Sequence, residues 1–174
     1  MPQPFDPIAE AHRQWTRRWP EHADHMAAVT SIMRVQQLLL SRIEETLKPY
    51  ALTFAAYEAL QLLALARTGS LPMGKMGRRL MVHPASVTNV ISRLEQRGLV
   101  ERCPSPDDRR VVLAKITEEG SAMAREATAA LNESAFGLPG LTQGEAAEIT
   151  ERLVALRIAA GDLSPDADGR PERR

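Results

Sequence analysis

A chain of 174 residues has room for one compact domain with extensions, or for a domain whose core a second copy completes. Hydrophobic residues make up 44%, so most of the chain is expected to fold, while no run approaches the eighteen uninterrupted apolar residues of a membrane span and no signal-peptide pattern opens the chain, which places it in the cytoplasm. The 22 Lys and Arg balance the 22 Asp and Glu, but between Arg67 and Lys115 ten basic residues stand against four acidic ones, a local +6 set between acidic flanks. A uniformly neutral enzyme does not predict that segregation, whereas a localised footprint for a polyanion does.

Residues 6–19 read as a helix carrying both tryptophans of the chain, Trp15 and Trp19, four apart on the face that also holds Ile8, Ala11 and His12. The two indoles would fasten this helix onto a core, or alternatively roof a ligand pocket. His22-Ala23-Asp24-His25 reads as an exposed connection, and with no cysteine beside it no metal site is expected. In the next helix Val29, Met33, Gln36, Leu40, Ile43 and Leu47 repeat at spacings of four and three, the seam of a coiled coil, until Pro49 ends it. Thr53 suits the N-cap of a following helix, with Leu52 and Tyr57 placed as a hydrophobic staple and Phe54, Leu60, Leu63 and Leu65 as its core. Met76 and Leu80 give a short helix an apolar side surrounded by Lys75, Arg78 and Arg79, and Met81-Val82-His83 leaves enough chain for a tight helix-to-helix turn.

The helix from Pro84 to Gly98 is the most telling. Proline suits its first position and glycine its left-handed end. Val87, Val90, Ile91 and Leu94 form one stripe. The opposite side holds Ala85, Asn89, Ser92 and Gln96, flanked by Ser86, Thr88 and Arg93. A solvated surface helix more often carries Glu and Lys pairs; small hydroxyls, an amide and an Arg are the groups that reach base edges and phosphates. Two strand-like runs follow, Leu99–Cys103 and Val111–Ile116, around the tip Pro104-Ser105-Pro106-Asp107-Asp108-Arg109-Arg110. By itself that tip is also an ordinary salt-bridged turn; beside the preceding helices it is the basic tip of a wing, and an extended Arg suits a narrow minor groove. Thr117 then caps a helix with Glu118 and Glu119 in its first turn, Gly137–Gly140 marks a break, and a last helix from Thr142 to about Gly161 lines up Ile149, Leu153, Leu156 and Ala160. After Ser164 the composition is too polar to fold alone.

The order is that of a winged helix-turn-helix. The expected fold is mainly α, with N- and C-terminal dimerisation helices and one small β-hairpin wing. The expected organisation is an extra helix plus dimerisation helix over 1–51, the DNA-binding domain over 52–117, C-terminal dimerisation helices over 118–163 and a flexible tail over 164–174. Ser86, Thr88, Asn89, Ser92 and Arg93 are the candidates for the major groove, Asp108, Arg109 and Arg110 for the wing, and Lys75, Arg78 and Arg79 for the DNA backbone. A two-fold dimer would set two such helices about 34 Å apart on a pseudo-palindrome.

The run Val87-Thr88-Asn89-Val90-Ile91-Ser92-Arg93-Leu94-Glu95-Gln96-Arg97-Gly98-Leu99-Val100-Glu101-Arg102, with Asp107-Asp108-Arg109-Arg110 and then Leu113, Ile116-Thr117 and Gly120, resembles the MarR family of transcriptional regulators. The resemblance spans residues 26 to 160 and aligns the family's wing Asp-x-Arg with Asp108 and Arg110. It implies a bacterial homodimer on a palindromic operator, usually a repressor, released by a small anionic or aromatic effector. The extra N-terminal helix is loosely similar to that of urate-responsive members, although their acidic pocket residue has only Glu58 as a counterpart here. A ligand pocket would then draw on Trp15, Trp19, Arg34, Tyr57 and Glu58. Oxidant-sensing members carry their reactive thiol in the N-terminal helices, so Cys103, the single cysteine, reads as a packing residue. No catalytic constellation, phosphate loop or dinucleotide fingerprint stands out, so no enzyme and no cofactor is expected. The competing reading is an architectural or protein-interaction module that has kept the winged shape without specific operator binding.

Overall fold

In the computed structural model, which describes residues 4–80 and 84–164, the helices opening at Pro7, Phe54, Pro84, Glu118 and Gln143 each begin at a capping side chain or a proline. Asp6 Oδ1 accepts the main-chain N–H of Ile8 and Pro7 opens α1 (Pro7–Arg18). α2 (Ala23–Leu47) follows a short 3-10 turn, and a second such turn ends at Ala51 in the left-handed region. Thr53 caps α3 (Phe54–Ala64) by accepting from Ala56 N–H. β1 (Ser70–Pro72) precedes α4 (Met73–Leu80) and α5 (Pro84–Gln96). β2 (Val100–Pro104) and β3 (Val112–Ile116) lead into α6 (Glu118–Glu133), capped by Thr117. α7 (Gln143–Ala159) starts in a capping box, Thr142 and Glu145 bonding each other's main-chain N–H. The helix-to-helix turn expected at Met81-Val82-His83 and the tail from residue 165 lie outside the described residues.

The chain divides into two compact units after Gly137. In the first, the core joins Ile43 and Leu47 of α2, Tyr57, Leu60 and Leu63 of α3, Met76 of α4, Val87, Ile91 and Leu94 of α5, Leu99, Val100 and Ala114 around the sheet, and Ala124, Ala127 and Leu131 of α6. α1 packs along α2, and His12 Nε2 meets Asp24 Oδ1 at 2.8 Å. Arg42 Nη1 donates to the Gly137 carbonyl at 2.8 Å, tying α2 to the turn that ends α6. Only the C-terminal part of the expected α2 seam is spent inside this unit: Val29 and Met33 remain 56% and 60% exposed. In the second unit, α7 leaves Ile149, Leu153, Val154 and Leu156 exposed.

One expectation is extended and one is overturned. The wing is part of a three-stranded antiparallel sheet in the order β1-β3-β2, because Ser70–Pro72 pairs with Leu113–Lys115 on the edge the hairpin would otherwise leave open. Leu65 is not a core residue: it is the C-cap of α3 and is 76% exposed. At 100° per residue it sits well away from the inner face set by Leu60 and Leu63. Among the described residues no helix is long and apolar enough to cross a membrane.

Candidate nucleic-acid interface

α5 is held by its apolar stripe. Val87, Ile91 and Leu94 are buried, which turns Ala85, Ser86, Thr88, Asn89, Arg93 and Gln96 outward and leaves Ser92 half-buried on one flank. Its end is fixed by Gly98, whose φ of +71° takes the left-handed cap that only glycine adopts without strain. The next turn is equally constrained: Thr117 Oγ1 donates to the Gly98 carbonyl at 2.8 Å and accepts from Gly120 N–H at 3.0 Å. A Cβ on Gly120 would stand 2.0 Å from the Leu99 carbonyl oxygen, so glycine is what lets α6 start against the end of the α5–β2 connection. α4 packs against α5 through buried Met76, leaving Lys75, Arg78 and Arg79 at the surface.

In the wing, β2 and β3 pair from Val100↔Ile116 to Pro104↔Val112. The tip closes with Ser105 N–H on the Val111 carbonyl at 2.8 Å and Val111 N–H on that of Asp108 at 2.9 Å. Asp108 Oδ1 accepts from the main-chain N–H of Arg110 at 2.9 Å, so the carboxylate shapes the turn instead of gripping the Arg110 guanidinium. Pro106 to Arg110 are exposed, and the outer face of α5, the basic α4 surface and the basic wing all belong to the same unit.

Two arginines of the motif to which the sequence assigns no role of their own hold this framework. Arg97 donates to the carbonyls of Ala51 and Tyr50 at 2.7 and 2.9 Å, joining the end of α5 to the end of α2. Arg102 reaches from β2 to α5, where Nη2 donates to the Thr88 carbonyl at 3.2 Å and to Ser92 Oγ at 2.7 Å, while Nη1 lies 3.3 Å from Glu95 Oε2. The signal for Arg102 is its alternation with Val100, which puts both on the side of β2 that meets α5, Val100 buried and Arg102 exposed at the edge of the contact.

The five expected ligand residues are not gathered in one place. Arg34 lines an open groove of about 570 Å³ between α1 and α2, together with Phe5, the acidic Asp6, Ile8, Thr30, Met33 and Gln37. Trp15 and Trp19 do not line it; their rings face each other at 4.8 Å, with the Arg18 guanidinium 5.1 Å from the Trp19 ring centre. Tyr57 is buried with its hydroxyl 3.1 Å from Thr128 Oγ1, and burial on α3 pushes the Glu58 carboxyl above its ordinary value. Cys103 is half-buried on β2, opposite Leu113. Among the described residues no group of His, Cys, Asp and Glu is arranged to hold a metal ion.

A model of the MarR family matches residues 55–112. Sco5413, a MarR-family transcriptional regulator from Streptomyces coelicolor, is 49% identical, with 80% of this chain and 97% of that one covered and a TM-score of 0.73. An uncharacterised HTH-type transcriptional regulator of Bacillus subtilis, YhbI, is 34% identical over 131 residues, 75% of this chain and 80% of that protein. The HTH-type transcriptional repressor MdtR of the same species is 32% identical over 138 residues, 74% and 89% of the two chains.

Proposed function

The chain belongs to the MarR family of DNA-binding transcriptional regulators, not to an enzyme family, and from that premise we infer that it works as a homodimeric repressor on a palindromic operator. The observation that carries this reading is the outer face of α5: small polar groups and one Arg, free of the acidic residues of a solvated helix, projected by a buried stripe and flanked by two basic surfaces. Asn89 makes a bidentate contact to adenine, Arg93 reaches guanine or a phosphate, and the hydroxyls of Ser86, Thr88 and Ser92 complete the major-groove surface. Arg110 enters the minor groove from the turn that Asp108 shapes, Arg109 lies beside it, and Lys75, Arg78 and Arg79 set the register on phosphates. Repression is supported by the likeness to MdtR. The site of action is the cytoplasm, on the nucleoid.

A second copy covers the apolar residues left exposed on α2 and α7, and the dimer offers its two α5 helices to half-sites about one DNA turn apart. A small anionic or aromatic effector releases the DNA by favouring a dimer whose half-site spacing no longer fits. The groove holding Arg34 sets its exposed guanidinium beside apolar Phe5, Ile8 and Met33, which suits an aromatic ligand with one acidic group, while the Asp6 carboxylate in the same lining weighs against a highly charged anion; Trp15, Trp19, Tyr57 and Glu58 join such a site only in an arrangement other than the one described.

The experiment is a mobility shift on the DNA upstream of the protein's own gene, at two salt concentrations and with competitor DNA. Competitor-resistant retention on a palindromic segment is the expected result. Salt-labile, sequence-indifferent binding would put the architectural reading first, and no binding at either salt would leave a protein-interaction module.

A further inference from the structure

Arg102 stands behind the recognition face and touches it at three points. Thr88, Ser92 and Glu95 follow at spacings of four and three, so they share the side of α5 that faces β2. The guanidinium spans all three, held at its far end by the Glu95 carboxylate. Resting on the DNA-binding reading above, we propose that Arg102 is a specificity-determining residue acting through Ser92: it biases the Ser92 hydroxyl toward donating a hydrogen bond in the major groove, so that α5 favours an acceptor edge over a cytosine edge there.

The argument is one of donors and acceptors. A guanidinium has donors only, whereas a hydroxyl has one donor and two lone pairs. The 2.7 Å contact therefore uses a lone pair of Ser92 Oγ, and the hydroxyl proton points away from Arg102. Left alone, a helical hydroxyl usually bonds the carbonyl four residues earlier. The threonines at 16, 30, 46, 128 and 150 all do so in this chain, at 2.7–3.0 Å. For Ser92 the equivalent carbonyl is that of Thr88, and there it is Arg102 Nη2 that donates, at 3.2 Å. The hydroxyl proton is thus left for an acceptor outside its own helix, while the second lone pair of Oγ stays open beside the Arg102 charge, which makes an incoming amino donor the weaker partner. Guanine O6 and N7, adenine N7 and thymine O4 accept such a proton, while the cytosine edge presents an amino donor. The neighbouring positive charge disfavours that amino group further.

The test is enrichment of binding sites from a randomised duplex library by the full-length protein and by Ser92→Ala, Arg102→Met, Arg102→Lys and the Ser92→Ala/Arg102→Met double variant, followed by affinities for duplexes differing at the one position. The ratio of affinities is read, because removing a positive charge weakens binding to every sequence. Wild type is expected to discriminate against cytosine at one position of each half-site. Ser92→Ala and Arg102→Met should each relax that discrimination by roughly three- to tenfold, the worth of one hydrogen bond, and the double variant no further. Should Arg102→Met fail to fold, Arg102→Lys, which keeps the charge but not the fork, should show the same relaxation. A weaker Arg102 variant with its base preference intact would overturn the proposal, as would additive effects in the double variant, since both describe a structural or phosphate-facing role. A wild-type protein that enriches no motif would overturn the specific-regulator reading, and this proposal with it.

Discussion

At the scale of single residues, the sharpest constraint is the space at Gly120. Its missing side chain is what allows the Leu99 carbonyl to lie where a Cβ would be 2.0 Å away, with an Ile116 side-chain carbon at 2.9 Å. Neither neighbour has an easy escape, because Leu99 is buried and its carbonyl also accepts from Thr117 N–H at 3.2 Å. Gly120→Ala is expected to cost ~3 kcal/mol of stability, at the upper end of overpacking, and urea unfolding with an unchanged midpoint would refute the close-approach argument. Glu58 poses the opposite kind of question. Burial raises its carboxyl above the ordinary 4.5, so the native state holds this proton more tightly than the unfolded chain does. Its contribution is therefore most favourable below 4.5 and is lost as pH rises through the raised native value. Glu58→Gln removes the burden of a partly desolvated charge. It should melt higher than wild type at neutral pH, with the gap closing in acid below 4.5, and a variant that melts lower at neutral pH would show that the carboxylate has a partner worth more than its desolvation.

At the scale of elements, what was legible in the sequence is what local chemistry decides. Pro84, Gly98 and the stripe Val87–Ile91–Leu94 place α5 without reference to the rest of the chain, and Thr53, Thr117 and Thr142 each cap the helix that follows. Features that depend on distant partners were not legible. β1 is three residues long and contains a proline, so it has no strand pattern of its own; it exists because β3 offers an edge. The same limit applies to the candidate site. The outward face of α5 follows from helical period, but the hold of Arg102 on Ser92 needs β2 folded back against the helix, and the role of Asp108 in the wing turn follows from the backbone conformation there. The residues expected around a ligand were chosen for chemistry alone, and the fold spreads them along α1, α2 and α3. Arg97 shows how a motif residue acts at this scale. Its two bonds close the end of α5 onto the carbonyls that follow α2, one of them belonging to Ala51 at φ +51°. These carbonyls end a helix and carry its negative partial charge, which favours a guanidinium there. Since the Arg97 side chain is largely exposed, Arg97→Ala should lower stability by only about 1 kcal/mol. Faster amide exchange at Tyr50–Leu52 and in the last turn of α5 should accompany it; unchanged exchange at both would mean that the clamp does not join the two helices.

At the scale of the whole molecule, two properties point away from an isolated chain: charge is segregated, and apolar surface is left over. The +6 balance between Arg67 and Lys115 belongs to the segment that carries α4, α5 and the wing, while the exposed apolar residues of α2 belong to the nearly neutral stretch before it. On the function proposed above, attraction for DNA and association between copies draw on different surfaces, and one can be changed without the other. Val29 and Met33 are the residues to change, because they continue the seam that Ile43 and Leu47 spend on the core yet are themselves more than half exposed. Placing Asp at both positions puts two charges into any interface built on that seam, where an unpaired buried charge is strongly unfavourable, and removes nothing from the core of the single chain. The Val29→Asp/Met33→Asp variant should keep its helical circular dichroism and sediment as a monomer. It should lose at least a hundredfold in affinity for a two-half-site operator, because the second half-site then binds without the benefit of being tethered to the first. Affinity for a single half-site, and its dependence on salt, should stay as in wild type, since the basic surfaces are untouched. A variant that remains dimeric would move the interface elsewhere, with the exposed face of α7 next to be tested; a monomer that binds the full operator undiminished would mean that each chain recognises DNA alone and that the palindrome is not read by a dimer.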